Sequence, residues 1–241
     1  MSGVSSAPRV EIWGVPGIPE IRHGDDLAAL IVKSLAAQGD SFEPGDIVAI
    51  SSKVASKALG LVTAADDKEA VVASETVAVV AERTAGGHVT RIVRAAAGPV
   101  MAAAGVDASN TGADEGVLLL LPHNPDEVCR VLHEALVSAS GVATLGVILT
   151  DTAGRPWRGG QTDFALGSWG VHVYDDHRGG VDADGRPLAV TVRAVVDELA
   201  AAADLVKGKV DGVPVAIIRG RAAWVEATPT GVGAESVVRA G

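Results

Sequence analysis

Runs of four to eight apolar residues, rich in Val and Ile and bounded by Gly or Pro, recur along the chain. They predict buried strands at residues 10–13, 47–52, 88–93, 116–121, 144–150, 171–174 and 213–219. Between them the apolar spacing changes to three and four. Leu27, Leu30, Ile31, Val32 and Leu35 form one stripe, with Asp25 or Asp26 placed to cap it and Gly39 to end it, so a helix is expected there. Further helices are expected over residues 68–83, stopping at Gly86-Gly87, over 126–138, and over the Ala-rich 193–206. The glycine-rich stretch 154–170 and the polar stretch 175–187 read as connections, and the polar tail 228–241 as a segment of weak order.

Strands and helices interleave irregularly, not in strict strand–helix–strand units. The expected fold class is therefore α+β, with mixed, largely antiparallel sheets and packed helices, in a single domain with room for two lobes. Neither a P-loop nor a Rossmann sheet is expected. Gly208-Lys209 lacks the upstream glycine and the following Ser or Thr of a Walker A loop, and no Gly-x-Gly-x-x-Gly string is present.

Composition narrows the classes of partner. A net charge of −10 argues against broad attraction to nucleic acid or to an anionic membrane, so an anionic substrate must be met by local cations. One cysteine, Cys129, excludes an internal disulfide, and the first eight residues lack the basic-then-apolar layout of a secretory signal. A cytoplasmic protein is expected. No apolar run approaches the roughly 18 residues of a membrane span.

Candidate chemistry gathers in three segments. Thr150-Asp151-Thr152-Ala153-Gly154-Arg155-Pro156-Trp157-Arg158 follows a predicted strand, which sets Asp151 and Thr152 at its end as hard oxygen ligands for Mg2+ or Mn2+. Arg155 and Arg158 are candidate clamps for a phosphate or carboxylate, and the competing reading is a capped turn with solvated arginines. Asp107 and Asn110 lie in a second segment that is also compatible with an ordinary turn. Ser52-Lys53-Val54-Ala55-Ser56-Lys57 follows another strand and offers hydroxyls and ammonium groups to phosphates, or else forms a solvated cationic turn. His123, Cys129 and His133 lack a further ligand pair at zinc spacing, so packing and surface roles are expected for them.

Taken in order, five sets of strings resemble the coenzyme F420-0:γ-glutamyl ligase family over about residues 10–220. They are Gly17-Ile18-Pro19-Glu20-Ile21 with Gly24-Asp25-Asp26-Leu27, the 52–57 string, Ala103-Ala104-Gly105-Val106-Asp107-Ala108-Ser109-Asn110, the 150–158 string with Gly160-Gln161-Thr162-Asp163, and Asp197-Glu198-Leu199-Ala200 with Asp204-Leu205-Val206-Lys207-Gly208-Lys209. The resemblance covers that family's ligase domain only. It implies GTP-driven amide formation between L-glutamate and the terminal carboxylate of F420-0, or of F420-1, through an acyl phosphate. It implies two divalent ions, Mg2+ or Mn2+, with K+ as a further candidate, and a homodimer. Position by position, Asp107 and Asp151 match ligands of one metal and Thr152 of a second. Ile18, Pro19, Glu20, Ile21, Ser52, Lys57 and Asn110 match contacts to GTP. Lys209 stands where some relatives carry a metal-approaching Gln, and Thr111 and Arg91-Ile92-Val93-Arg94 also depart from the pattern. Those departures keep two alternatives in view: an amide ligase for a different carboxylate, and a non-catalytic nucleotide- or F420-binding relative.

Overall fold

A central five-stranded sheet is buried on both faces, and the alternation of side chains along its strands explains why. The strands are β1 (Glu11–Gly14), β2 (Asp46–Ser51), β8 (Leu145–Arg155), β9 (Arg158–Trp169) and β12 (Val215–Arg219), in spatial order β1-β12-β2-β8-β9. Val48 and Ile50 of β2, Val147 and Leu149 of β8 and Val215 and Ile217 of β12 point to one side. There they join Leu27, Ile31 and Leu35 of helix α1 (Leu27–Ala37) and Cys129 and Leu136 of helix α4 (Pro125–Ser140). Ile47, Ala49, Ile148, Ala216 and Ile218 point to the other, against Val196, Leu199, Ala200 and Ala203 of helix α5 (Val195–Lys207). Two covered faces account for the unbroken apolar runs read in the sequence. Only β2 and β8 are parallel, and the neighbouring pairs are antiparallel. The fold is α+β with mixed, mostly antiparallel sheets.

The computed structural model describes residues 7–64, 67–85, 88–109 and 116–238. The remaining elements are helix α2 (Ser52–Ala58), strand β3 (Val62–Ala64), helix α3 (Lys68–Ser74), strands β4 (Thr76–Ala85), β5 (His88–Ala95), β6 (Val100–Ala102) and β7 (Val117–Leu119), and the pair β10 (Tyr174–Asp176) and β11 (Val192–Ala194). β4, β5 and β6 form a separate three-stranded sheet, and β3 pairs with β7.

Helix α1 begins as expected: the Asp26 carboxylate accepts from the Ala29 N–H at 2.9 Å. The helix expected over 68–83 does not hold. It ends at Ser74, and Thr76–Ala85 pairs antiparallel with His88–Ala95. The β-branched run Thr76-Val77-Ala78-Val79-Val80 favours an extended chain once a partner strand is available, which a single-segment reading cannot see. Likewise the stretch 154–170, read as a connection, is mostly strand β9, antiparallel to β8. Val171 makes only an isolated bridge to Val225. In the tail, Ala234 is fully buried and the Glu235 N–H donates to Asp126 at 3.2 Å.

Gly167 on β9 permits the close approach of α4. A Cβ at that position would stand 2.4 Å from the Pro125 carbonyl carbon and 2.5 Å from its oxygen, while the neighbouring Ser168 N–H donates to Asp126 at 2.7 Å. Gly167→Ala is therefore expected to destabilise the fold by about 1–3 kcal/mol through overpacking against backbone. Denaturant titration reads this, and an unchanged midpoint would show that α4 retreats without cost.

Candidate active site

The strand pair β8–β9 leaves the sheet as a two-stranded ribbon, because β2 accompanies β8 only as far as Thr150. Asp151 and Thr152 lie where the ribbon departs, and Asp163 lies opposite Thr152 in register. A cleft of about 480 Å3 opens beside them, walled by residues 18–21 on one side and by the end of α5 with the 208–214 loop on the other. Lys53, Val54 and Lys57 of α2 complete the lining.

The floor of the cleft is a buried polar knot. The Lys207 ammonium donates to the Asp163 carboxylate at 2.6 Å and to the Thr150 hydroxyl, and the side chains of Lys207 and Asp163 are only 4% and 5% exposed. Thr152 Oγ1 donates to the other Asp163 oxygen at 2.6 Å. Burial alone would push the Asp163 carboxyl up, but the Lys207 charge and the hydroxyl donors outweigh it and hold it below the usual carboxylate range. With its proton committed to Asp163, the Thr152 oxygen presents its remaining lone pairs as an acceptor at the cleft.

Asp151 is compensated less completely. Burial pushes its carboxyl up to about 6, and nearby Asp163 adds to the rise; the Ser52 hydroxyl at 3.0 Å, the Thr152 N–H and the Lys53 charge oppose it. Asp107 is reached through Lys53, whose ammonium lies 2.6 Å from its carboxylate and also donates to Ser109 Oγ at 2.9 Å. Burial would raise the Asp107 carboxyl, yet Lys53 and the Ser109 N–H at 2.7 Å hold it low. Lys53 thus pairs with Asp107 directly and touches the Asp151 charge only at longer range. Lys57, almost fully buried, reaches Glu20 at 2.5 Å across the cleft wall.

The loop after α5 contains two glycines with positive φ, Gly208 and Gly212. Gly208 has φ +62, and a Cβ there would sit 1.9 Å from an Asp211 carboxylate oxygen. Only glycine allows both the left-handed backbone and that close carboxylate.

Of the residues singled out in the sequence, Ile18, Pro19, Glu20, Ile21, Lys57, Asp151 and Thr152 line the cleft. Ser52 is buried behind Asp151 and acts on it directly, and Asp107 adjoins the cleft through Lys53. Asn110 lies outside the described residues. Arg155 and Arg158 do not line the cleft: they face each other at the exposed tip of the ribbon. Sequence reasoning missed Asp163 and Lys207 as site residues, and offered Lys53 to phosphates without its pairing to Asp107. All three stand inside the quoted strings, but only the fold shows that Asp163 and Lys207, 44 positions apart, form a buried pair. Cys129 is fully buried among apolar side chains, with its thiol pushed up by burial, in keeping with a packing role.

The family model for F420-0:γ-glutamyl ligase matches residues 17–220. This span runs from the first cleft wall through the 208–214 loop. The chain belongs to that family. It is 41% identical over 228 residues to a protein of Halobacterium salinarum named coenzyme F420:L-glutamate ligase, covering 86% of this chain and 85% of that one. Proteins of the same name from Haloarcula marismortui and Halorubrum lacusprofundi are 38% and 37% identical, each covering 87% of both chains. All the cleft-lining residues fall within the family-matched span.

Removing Lys207 strands a buried carboxylate. Lys207→Met is expected to cost about 3–5 kcal/mol, and adding Asp163→Leu to recover much of it, because a lone buried charge costs more than an apolar pair. Thermal or urea unfolding checks this, and a double variant no more stable than the single one would contradict it.

Proposed function

We propose that this chain is a GTP-dependent ligase that joins L-glutamate by an amide bond to the terminal carboxylate of F420-0. The observation that carries this reading is a lysine-lined cleft that Asp151 lines and that Asp107 adjoins through its ion pair with Lys53, in a chain whose relatives are named coenzyme F420:L-glutamate ligase. Two polyanions must meet here within a protein of net charge −10, so local positive charge is the first requirement. Lys57 and Lys53 line the cleft paired with Glu20 and Asp107, and Lys57 is assigned to the nucleotide phosphates, so the remaining positive charge is left to bound cations.

The residues also suit a divalent cation. Asp151 is desolvated and only partly compensated, and Thr152 offers an acceptor whose orientation Asp163 fixes. Among the described residues no group of three or more His, Cys, Asp or Glu side chains gathers as a complete ligand cage. A magnesium-type ion does not require such a cage, because it keeps waters and takes substrate oxygens alongside one or two carboxylates. Asp107 and Asp151 would hold one ion and Thr152 would contribute to a second. When bound, such ions supply charge neutralisation between polyphosphate and carboxylate.

The reaction balances as two displacements. An oxygen of the acceptor carboxylate forms a bond to the γ-phosphorus while the bond to the β–γ bridging oxygen breaks, and GDP leaves. The glutamate amine then bonds to the acyl carbon, phosphate leaves with the C–O electron pair, and the nitrogen gives up its proton. The cleft's contribution is to bind, orient and screen charge.

We also read the chain as a homodimer, since Val77, Val79, Val80 and Val89 on the β4–β5 hairpin are all exposed. Sedimentation of the purified protein tests this part, and a monomer would remove it.

Mass analysis of F420-0 after incubation with GTP, Mn2+ and glutamate tests the main reading. One added glutamyl residue and stoichiometric GDP are expected, with Asp151→Ala slowing product formation at least about a hundredfold. An inert parent protein, or an Asp151→Ala variant as fast as the parent, would overturn it.

A further inference from the structure

The tip of the β8–β9 ribbon combines three choices that each work against folding. Trp157 is 102% exposed, so its large apolar surface buries nothing. Its φ is +55, in the left-handed region that disfavours any side chain, and it follows Pro156 at the turn position where glycine is the usual residue. Arg155 and Arg158 are directly opposite in register, which sets like charge against like charge, and neither is paired with a carboxylate among the described residues. Local violations gathered at one point are expected where a site is under a demand other than stability.

One kind of ligand relieves the two exposed features together. A planar aromatic group would stack on the Trp157 indole, and a negative charge attached to it would be shared by the two guanidinium groups. The same ribbon carries Asp151, Thr152 and Asp163 to the cleft. Thr152 and Arg155 are three positions apart, about 10 Å at roughly 3.4 Å per residue. An elongated acceptor with its reacting carboxylate in the cleft would therefore bring its far end to the tip.

We propose that Trp157, Arg155 and Arg158 form the subsite that binds the planar, anionic aromatic end of the carboxylate acceptor. This rests on the ligase reading above, in which the acceptor is F420-0, with a deazaflavin ring at the end remote from its reacting carboxylate. Trp157 is a specificity residue on this account, and the strained turn holds the indole outward.

Glycine at position 157 separates binding from folding, because it suits the positive φ while removing the ring. Trp157→Gly is expected to raise the melting temperature by about 2 °C or more. It should also weaken F420-0 binding at least about fivefold, measured by anisotropy of the deazaflavin fluorescence without nucleotide. The KM for F420-0 should rise in step while the KM for GTP stays put, Trp157→Phe should keep most of the affinity, and Arg155→Gln with Arg158→Gln should lower it. Unchanged F420-0 affinity in Trp157→Gly, with the parent enzyme active, would overturn the subsite alone. A fall in melting temperature alongside lost binding would also overturn it, by showing that the indole supports the fold. A parent protein that neither binds nor extends F420-0 would sink the ligase reading and the subsite with it.

Discussion

The cleft depends on one buried ion pair, Lys207 with Asp163. It joins the last residue of α5 to the β8–β9 ribbon across the cleft floor, and through the Thr150 and Thr152 hydroxyls it fixes both strands where they leave the sheet. Such a pair adds little to net stability compared with an apolar equivalent, but it is costly to break from one side only. Its consequence is geometric. With Asp163 held, Thr152 is oriented and Asp151 beside it stays against Ser52.

Around that floor the sheet supplies rigidity and the connections supply chemistry. β2 and β8 run parallel at the centre, and both deliver their C-terminal ends to the same edge, so α2 with Lys53 and Lys57 starts beside Asp151. Residues 18–21 and the 208–214 loop flank that edge because β1 and β12 are antiparallel neighbours. Segments far apart in sequence therefore converge for a topological reason, and four of the five sets of strings that marked the family contribute residues to the cleft lining.

Much of this was legible in the sequence, for identifiable reasons. The two-sided core produced unbroken apolar runs, which is why β2, β8 and β12 could be read directly. The Asp26 cap and the Gly39 stop marked α1 by local chemistry alone. The β4 segment was misread because its Val-rich run becomes a strand only through pairing with β5. The ribbon was hidden by its glycines and polar residues, which resemble a loop until Arg155 and Arg158 are seen paired across a turn. At the site, Asp151 and Thr152 could be named from their place after a strand. Lys207 and Asp163 could not, since nothing local in an Ala-rich helix or a Gly-Gln-Thr-Asp string shows that a lysine and an aspartate meet in the interior.

On the proposed reading Asp107 and Asp151 hold one divalent cation, with Lys53 now paired to Asp107 at 2.6 Å. Manganese binding to the purified protein in the presence of GDP, followed by electron paramagnetic resonance, tests it most directly, with Asp107→Asn and Asp151→Asn beside the parent chain. Each substitution is expected to weaken Mn2+ binding about tenfold or more. Undiminished Mn2+ binding in both variants would contradict it.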